Sequence, residues 1–249
     1  MFSPALRHRQ RVLAHLSGTA TADAQAPAEL TADTAIGQEY AGLRVLLYDN
    51  LRSLSDVASH EARIPLKIEM ARAFAPWIDG VLLAGETGAA AQDEIVTTNL
   101  VWAIDYRDFD YALRLAGHAI RHGLAMPERF KRTPACYLTE EVATIANAEQ
   151  DAVTLEHLIA VQQLVEGHDF HDAVRAKLHK AIGRGFARKA DAFDPAADNA
   201  PAGGKAAYVA EALEHLQRAF QLDRNVGVKK DIERLERAAK GLADEPPQN

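Results

Sequence analysis

Cysteine is almost missing from this 249-residue chain: Cys136 stands alone. That excludes an internal disulfide and any zinc site built on cysteines, and a lone thiol suits a reducing cytoplasm. Aromatic residues make up only 6%, and β-branched runs are few, which removes the usual material of sheets. No window of about 18 residues is free of charge, so no membrane-spanning helix is expected. The opening MFSPALRHRQRVLAHL leads into no apolar core of secretory length and does not read as a signal peptide. Excess positive charge is missing too. The net charge is −7 and the pI about 5.8, whereas a domain that coats DNA through bulk charge sits near or above pI ~9. A local basic patch stays open, because steering follows the distribution of charge.

Alanine is what the chain has in plenty, with 48 residues. Abundant alanine favours helices. Hydrophobic residues at 48% and charged residues at 25% are enough to bury a core and exclude wholesale disorder. At roughly 150 residues per domain the length allows between one and two domains. The expected fold class is all-α: helical hairpins, one long amphipathic helix and a flexible basic N-terminal arm.

Five regions are expected along the chain: a basic arm and linker over 1–34, a long-helix oligomerisation region over 35–88, a helical core over 89–190, a loop over 191–205, and a C-terminal helical hairpin and tail over 206–249. Arg7, Arg9 and Arg11 sit in the arm with His8 and His15, and no acid precedes Asp23. The stretch 18–34 is small, polar and proline-containing, so it reads as a linker. Leu43, Leu46, Leu47, Leu51 and Leu54 recur at three- and four-residue steps and predict one helix over 36–62. Its apolar face has no obvious neighbour in sequence. Pro65 is expected to start the next helix, with a kink or break at Pro76. Helices are further predicted over 90–105, 109–122, 139–149, 152–166, 171–190, 206–222 and 226–242, with Thr139 as an N-terminus and 125–137 as a loop. Ala112, Ala116 and Ala119 correspond to Ala212, Leu216 and Ala219 one hundred residues later. This small-residue pattern has tetratricopeptide-like character, although two similar amphipathic helices would look the same.

Candidate chemistry is sparse. His118 and His122 at i,i+4 place two potential metal ligands on one helix face, but no third ligand is evident. His168 and His171 flank a loop where Asp169 or Asp172 can serve a helix N-terminus instead. Nuclease chemistry needs carboxylates that hold Mg²⁺ near a scissile phosphate. The available acids are Asp93–Glu94, Asp105, Asp108–Asp110 and Glu140–Glu141, none with a supporting base at a familiar spacing. No GxxxxGK[ST] loop is present, so an ATPase is not indicated. No metal site and no catalytic residue is therefore assigned.

Three basic features remain as candidate DNA contacts. The first is the arm, Arg7, Arg9 and Arg11, since flexible basic termini order on nucleic acid. The second is the stretch Arg129-Phe-Lys131-Arg132. The third is helix 171–190, where Lys177, Lys180, Arg184 and Arg188 fall within one stripe of about 80°, with Val174, Leu178, Ile182 and Phe186 on another face suited to the core. Such a stripe can track phosphates, and it can equally be a solvated helix face.

Several blocks carry a family resemblance: SPALRHRQRV near the start, PWIDGVLLAG at 76–85, AQDEIV at 91–96, DFDYALRLAGHAIRHGLAMPERFKRTPACYLTEEVA at 108–143, VRAKLHKAIG at 174–183, and ALEHLQRAFQLDRNVGVKKDIERLER at 212–237. In this order the chain closely resembles the phage small terminase subunit family of temperate contractile-tailed phages and prophages, also called the terminase endonuclease subunit. The resemblance implies genome packaging in the cytoplasm of the infected bacterial host. It implies binding of phage double-stranded DNA at the packaging or cohesive-end site, and recruitment of the large terminase ATPase subunit to cut and package concatemeric DNA. It implies a homo-oligomer, in general a ring, to which the leucines of 36–62 would contribute. It also attaches the word endonuclease to this subunit, for which Mg²⁺ would be the ion. Whether the nuclease lies here or in the large subunit stays open, as does a helical adaptor that docks only proteins.

Overall fold

The computed structural model describes residues 28–88, 90–194 and 204–244. Among these it contains nine α-helices: α1 (Ala35–Ser55), α2 (His60–Thr87), α3 (Glu94–Asp105), α4 (Phe109–Arg121), α5 (Pro134–Ala148), α6 (Leu155–Leu164), α7 (Asp172–Asp191), α8 (Gly204–Leu222) and α9 (Lys229–Asp244). A single parallel bridge pairs Ala28 with Ala91. The expectation of an all-α chain holds.

Most helix starts are written in the sequence as side-chain caps. Thr34, Ser59, Asp93, Asp108, Thr133 and Thr154 each accept a hydrogen bond from a backbone N–H of the first turn, which satisfies donors the helix cannot. Ser59 corrects the first boundary. The helix expected over 36–62 ends at Ser55, and α2 begins at His60, so Pro65 lies inside a helix that it was expected to start. Pro76 does not interrupt α2 either. The start placed at Thr139 belongs to Thr133, with Pro134 at the first helical position, where a missing N–H costs nothing. Thr139 is instead buried inside α5 and donates its hydroxyl to the Ala135 carbonyl at 2.7 Å.

The core forms around α3. Every residue from Ile95 to Ile104 is buried, with Trp102 and Leu100 fully enclosed. Helices α1, α2, α4 and α5 surround it. This first apolar cluster extends through α6 to Leu178, Ala181 and Ile182 of α7. A second cluster joins Ala187 and Ala190 at the end of α7 to Val209, Ala212 and Leu216 of α8 and to Val228 and Leu235. Phe186 packs against both, so α7 is the element the two clusters share.

A glycine sets the contact of α7 with α8. A Cβ on Gly183 of α7 would lie 2.7 Å from Leu216 Cγ and 3.0 Å from the Ala212 carbonyl of α8, so the two helices approach as closely as a bare glycine permits. The two small-residue stripes noted in the sequence, Ala112/Ala116/Ala119 and Ala212/Leu216/Ala219, are both fully buried. One sits in α4 and the other in α8.

Candidate functional site

Each acid cluster available for nuclease chemistry has a structural partner. Asp93 is 1% exposed. Its Oδ1 accepts from the backbone N–H groups of Ile95 and Val96 at 2.8 and 3.0 Å, and its Oδ2 accepts from Trp77 Nε1 at 2.7 Å. Burial pushes its carboxyl above the usual range, against the pull of those three donors. Glu94 accepts from the Tyr48 hydroxyl at 2.7 Å and pairs with Arg44. Asp105 pairs with Lys67 at 2.5 Å. Asp93 caps one end of α3 and Asp105 ends the other, roughly 18 Å apart at 1.5 Å per residue, so these acids do not converge on one ion.

The remaining acids are similarly engaged. Asp108 caps α4 through Tyr111 N at 3.0 Å, and Asp110 meets His157 Nε2 at 3.0 Å. Glu140 takes Arg132 and, at 3.4 Å, Lys177, while Glu141 takes Arg132 at 3.3 Å. Burial pushes Glu140 up, but Arg132 and Lys177 outweigh it and hold the carboxyl below its ordinary value.

The basic candidates separate into three fates. Arg7, Arg9 and Arg11 lie outside the described residues. In the second group, Arg132 is held by the two glutamates of α5 and lies over Tyr137. Arg129 lies over Phe130, 4.8 Å from its centroid, and Lys131 is exposed beside it. The third group, on α7, is tied into the fold. Lys177 faces Glu140, Lys180 donates to the Val226 carbonyl at 2.7 Å, Arg184 pairs with Asp231 at 3.0 Å and Arg188 with Asp151 at 3.6 Å. All four are half-buried. The stripe therefore faces its own neighbours, which periodicity on one helix could not reveal.

The leucine set of α1 is also drawn inward. Leu47 and Leu54 are buried, and Leu43 and Leu51 pack against the first cluster. The helix expected to lack a local partner has two, α2 and α3. Of the five leucines, Leu46 is the one left exposed, beside Val45.

Four of the ten histidines form two ring pairs. His118 of α4 and His122 at its C-cap lie 4.7 Å apart by centroid over Gly85 of α2, and His122 Nε2 meets the Gly85 carbonyl at 3.0 Å. Burial, then the neighbouring His122 and Arg121, lowers the His118 pKa to about 4. The second pair, His179 of α7 and His215 of α8, brings two Nδ1 atoms to 3.0 Å. It escaped the sequence reading because 36 residues separate the two rings and no local spacing signals them. Among the described residues no three His, Cys, Asp or Glu side chains stand together as a metal site, and no helix is long and apolar enough to cross a membrane.

Comparison with known proteins gives these features a setting. A family model described as phage small terminase subunit matches residues 45–173. The chain is 39% identical over 250 residues to the terminase, endonuclease subunit of Escherichia phage P2, covering 99% of this chain and 90% of that protein. It is 24% identical over 211 residues to the probable terminase, endonuclease subunit of Haemophilus phage HP1 (strain HP1c1), covering 83% and 73%. No solved structure matches.

Proposed function

We propose a function on a plain premise: the chain belongs to the phage small terminase subunit family, whose work is genome packaging. Within that work we read it as the DNA-recognition subunit, acting in the cytoplasm of the infected bacterial host. It binds phage double-stranded DNA at the packaging or cohesive-end site and directs the large ATPase subunit, which cuts and packages concatemeric DNA. One observation carries recognition over cutting: each carboxylate that suited a nuclease has a cap, an ion pair or a hydrogen bond within the chain, and Asp93 and Asp105 stand at opposite ends of α3. A nuclease in this chain with Mg²⁺ on Asp93, Glu94 and Asp105 would need those ends to converge.

The arm is the DNA contact that best fits this reading. The α7 stripe and Arg132 already have acidic or carbonyl partners in the chain, so using them on phosphate would break existing pairs. Copies assembled as a ring would present several Arg7/Arg9/Arg11 sets to one duplex, so weak contacts multiply. Neutralising about three phosphates per arm contributes roughly −2.7 to the slope of log affinity against log salt. Replacing the three arginines with alanine is expected to flatten that slope. An unchanged slope would move the contact to Arg129 and Lys131 or to α7.

The inward-turned stripe and the net charge of −7 also favour a second reading, an adaptor that docks only proteins. A gel shift with duplex DNA at low and moderate salt separates the two, since the adaptor gives no shift at either.

A further inference from the structure

The His179–His215 pair lies where α8 meets α7, on the side of that contact facing α6. Its rings are 5.1 Å apart by centroid, and Phe186 stacks on His215 at 5.8 Å. The pair is half-buried and opens into a solvent-connected cavity of about 510 Å³, lined also by Gln162, Glu214, Gln217 and Arg218. The carboxylates of Glu211 and Glu214 on α8 act on His215, and the cations of Arg175 on α7 and Arg218 on α8 act on His179. The local charge is therefore balanced.

We propose that His179 and His215 form a two-imidazole site for a divalent first-row transition metal, of the Ni²⁺ or Cu²⁺ class, that staples α8 to α7. The donor spacing is the main argument. Two metal–nitrogen bonds of about 2.05 Å whose nitrogens are 3.0 Å apart enclose an angle of roughly 94°. That is the cis angle of a tetragonal or octahedral ion.

The donor atoms support the same class. Imidazole nitrogens with oxygen donors suit Cu²⁺ and Ni²⁺, and the adjoining solvent-connected cavity leaves room for water at the remaining positions of an ion held by the two rings. The two rings also come from different helices, so one ion would join the α8 side of the second cluster to the α7 side of the first.

Proton balance is simple. Burial, then the other ring and two arginines, lowers the His179 pKa to about 4, and burial lowers that of His215, so both rings are neutral near pH 7. Without metal, one Nδ1–H donates to the other Nδ1. With metal, both Nδ1 atoms bind the ion and the shared proton moves to Nε2 of its own ring. No proton is released overall and nothing is oxidised or reduced.

The test uses the full chain without a histidine tag, titrated with Ni²⁺ by calorimetry. His179→Gln and His215→Gln are each expected to weaken the tightest Ni²⁺ affinity tenfold or more. A double His118→Gln/His122→Gln variant is expected to leave it unchanged, although it removes the other ring pair. Loss of the site in that control, or equal affinity in His179→Gln and His215→Gln, would overturn the proposal. A second measurement does not depend on the variants folding. The electron paramagnetic resonance spectrum of the wild-type chain with one equivalent of Cu²⁺ should show coupling to two imidazole nitrogens at a single site. An oxygen-only or dispersed signal would equally overturn it.

Discussion

Asp93 accepts three hydrogen bonds with two oxygens, one set from the first turn of α3 and one from Trp77 of α2. Its carboxylate thereby fixes where α3 starts and how α2 lies against it. Removing it loses an N-cap, about 1 kcal/mol, and leaves the Trp77 N–H without its acceptor, about 1–3 kcal/mol. Asp93→Ala is expected to destabilise the chain by about 2–4 kcal/mol in urea unfolding. A loss under about 0.5 kcal/mol, the range of an ordinary surface substitution, would show that the residue is not structural. Such a residue looks the same in sequence whether it caps a helix or holds an ion. The distinction came from Trp77, sixteen positions upstream and one helix away.

At the scale of elements, local chemistry was legible and tertiary partnership was not. Thr133-Pro134 is a capping residue before proline, a start signal present in the sequence, yet the two prolines of 125–137 invited a loop. The step from α1 to α2 was hidden because leucines continue to Leu54 and helix formers follow Ser59. The α7 stripe had the right spacing for a phosphate track, but its counter-charges come from Glu140, Asp151 and Asp231, on α5, in a loop and on α9. For the same reason the pairing of His179 with His215 needed the packing of α7 on α8. Helix α1 illustrates the point for assembly. Its regular leucines serve the core, whereas Val45 at 63% and Leu46 at 40% exposed remain outside. If this outer side joins copies of the chain, Val45→Glu with Leu46→Glu should convert the assembly to monomer in sedimentation velocity while leaving helicity unchanged. An unchanged sedimentation coefficient would place the contact elsewhere, and a wild-type monomer at micromolar concentration would remove the assembly itself.

For the molecule as a whole, the helical class was readable from alanine abundance and periodicity, because helix formation is local. The proposed division of labour in packaging rests on less local facts. The core is built around α3, and the acids at its two ends hold Trp77 and Lys67. The cations of the α7 stripe are engaged by carboxylates and a carbonyl of the same chain, so the recognition reading turns to the N-terminal arginines. The most direct measurement incubates the purified chain, without its large partner, with Mg²⁺ and a duplex carrying the phage's end site, and scores binding and strand breaks in the same reaction. The account predicts a shifted, intact duplex. Site-specific cuts, lost on substitution of Asp93, Glu94 or Asp105 in a chain that remains folded, would contradict it and place the nuclease here.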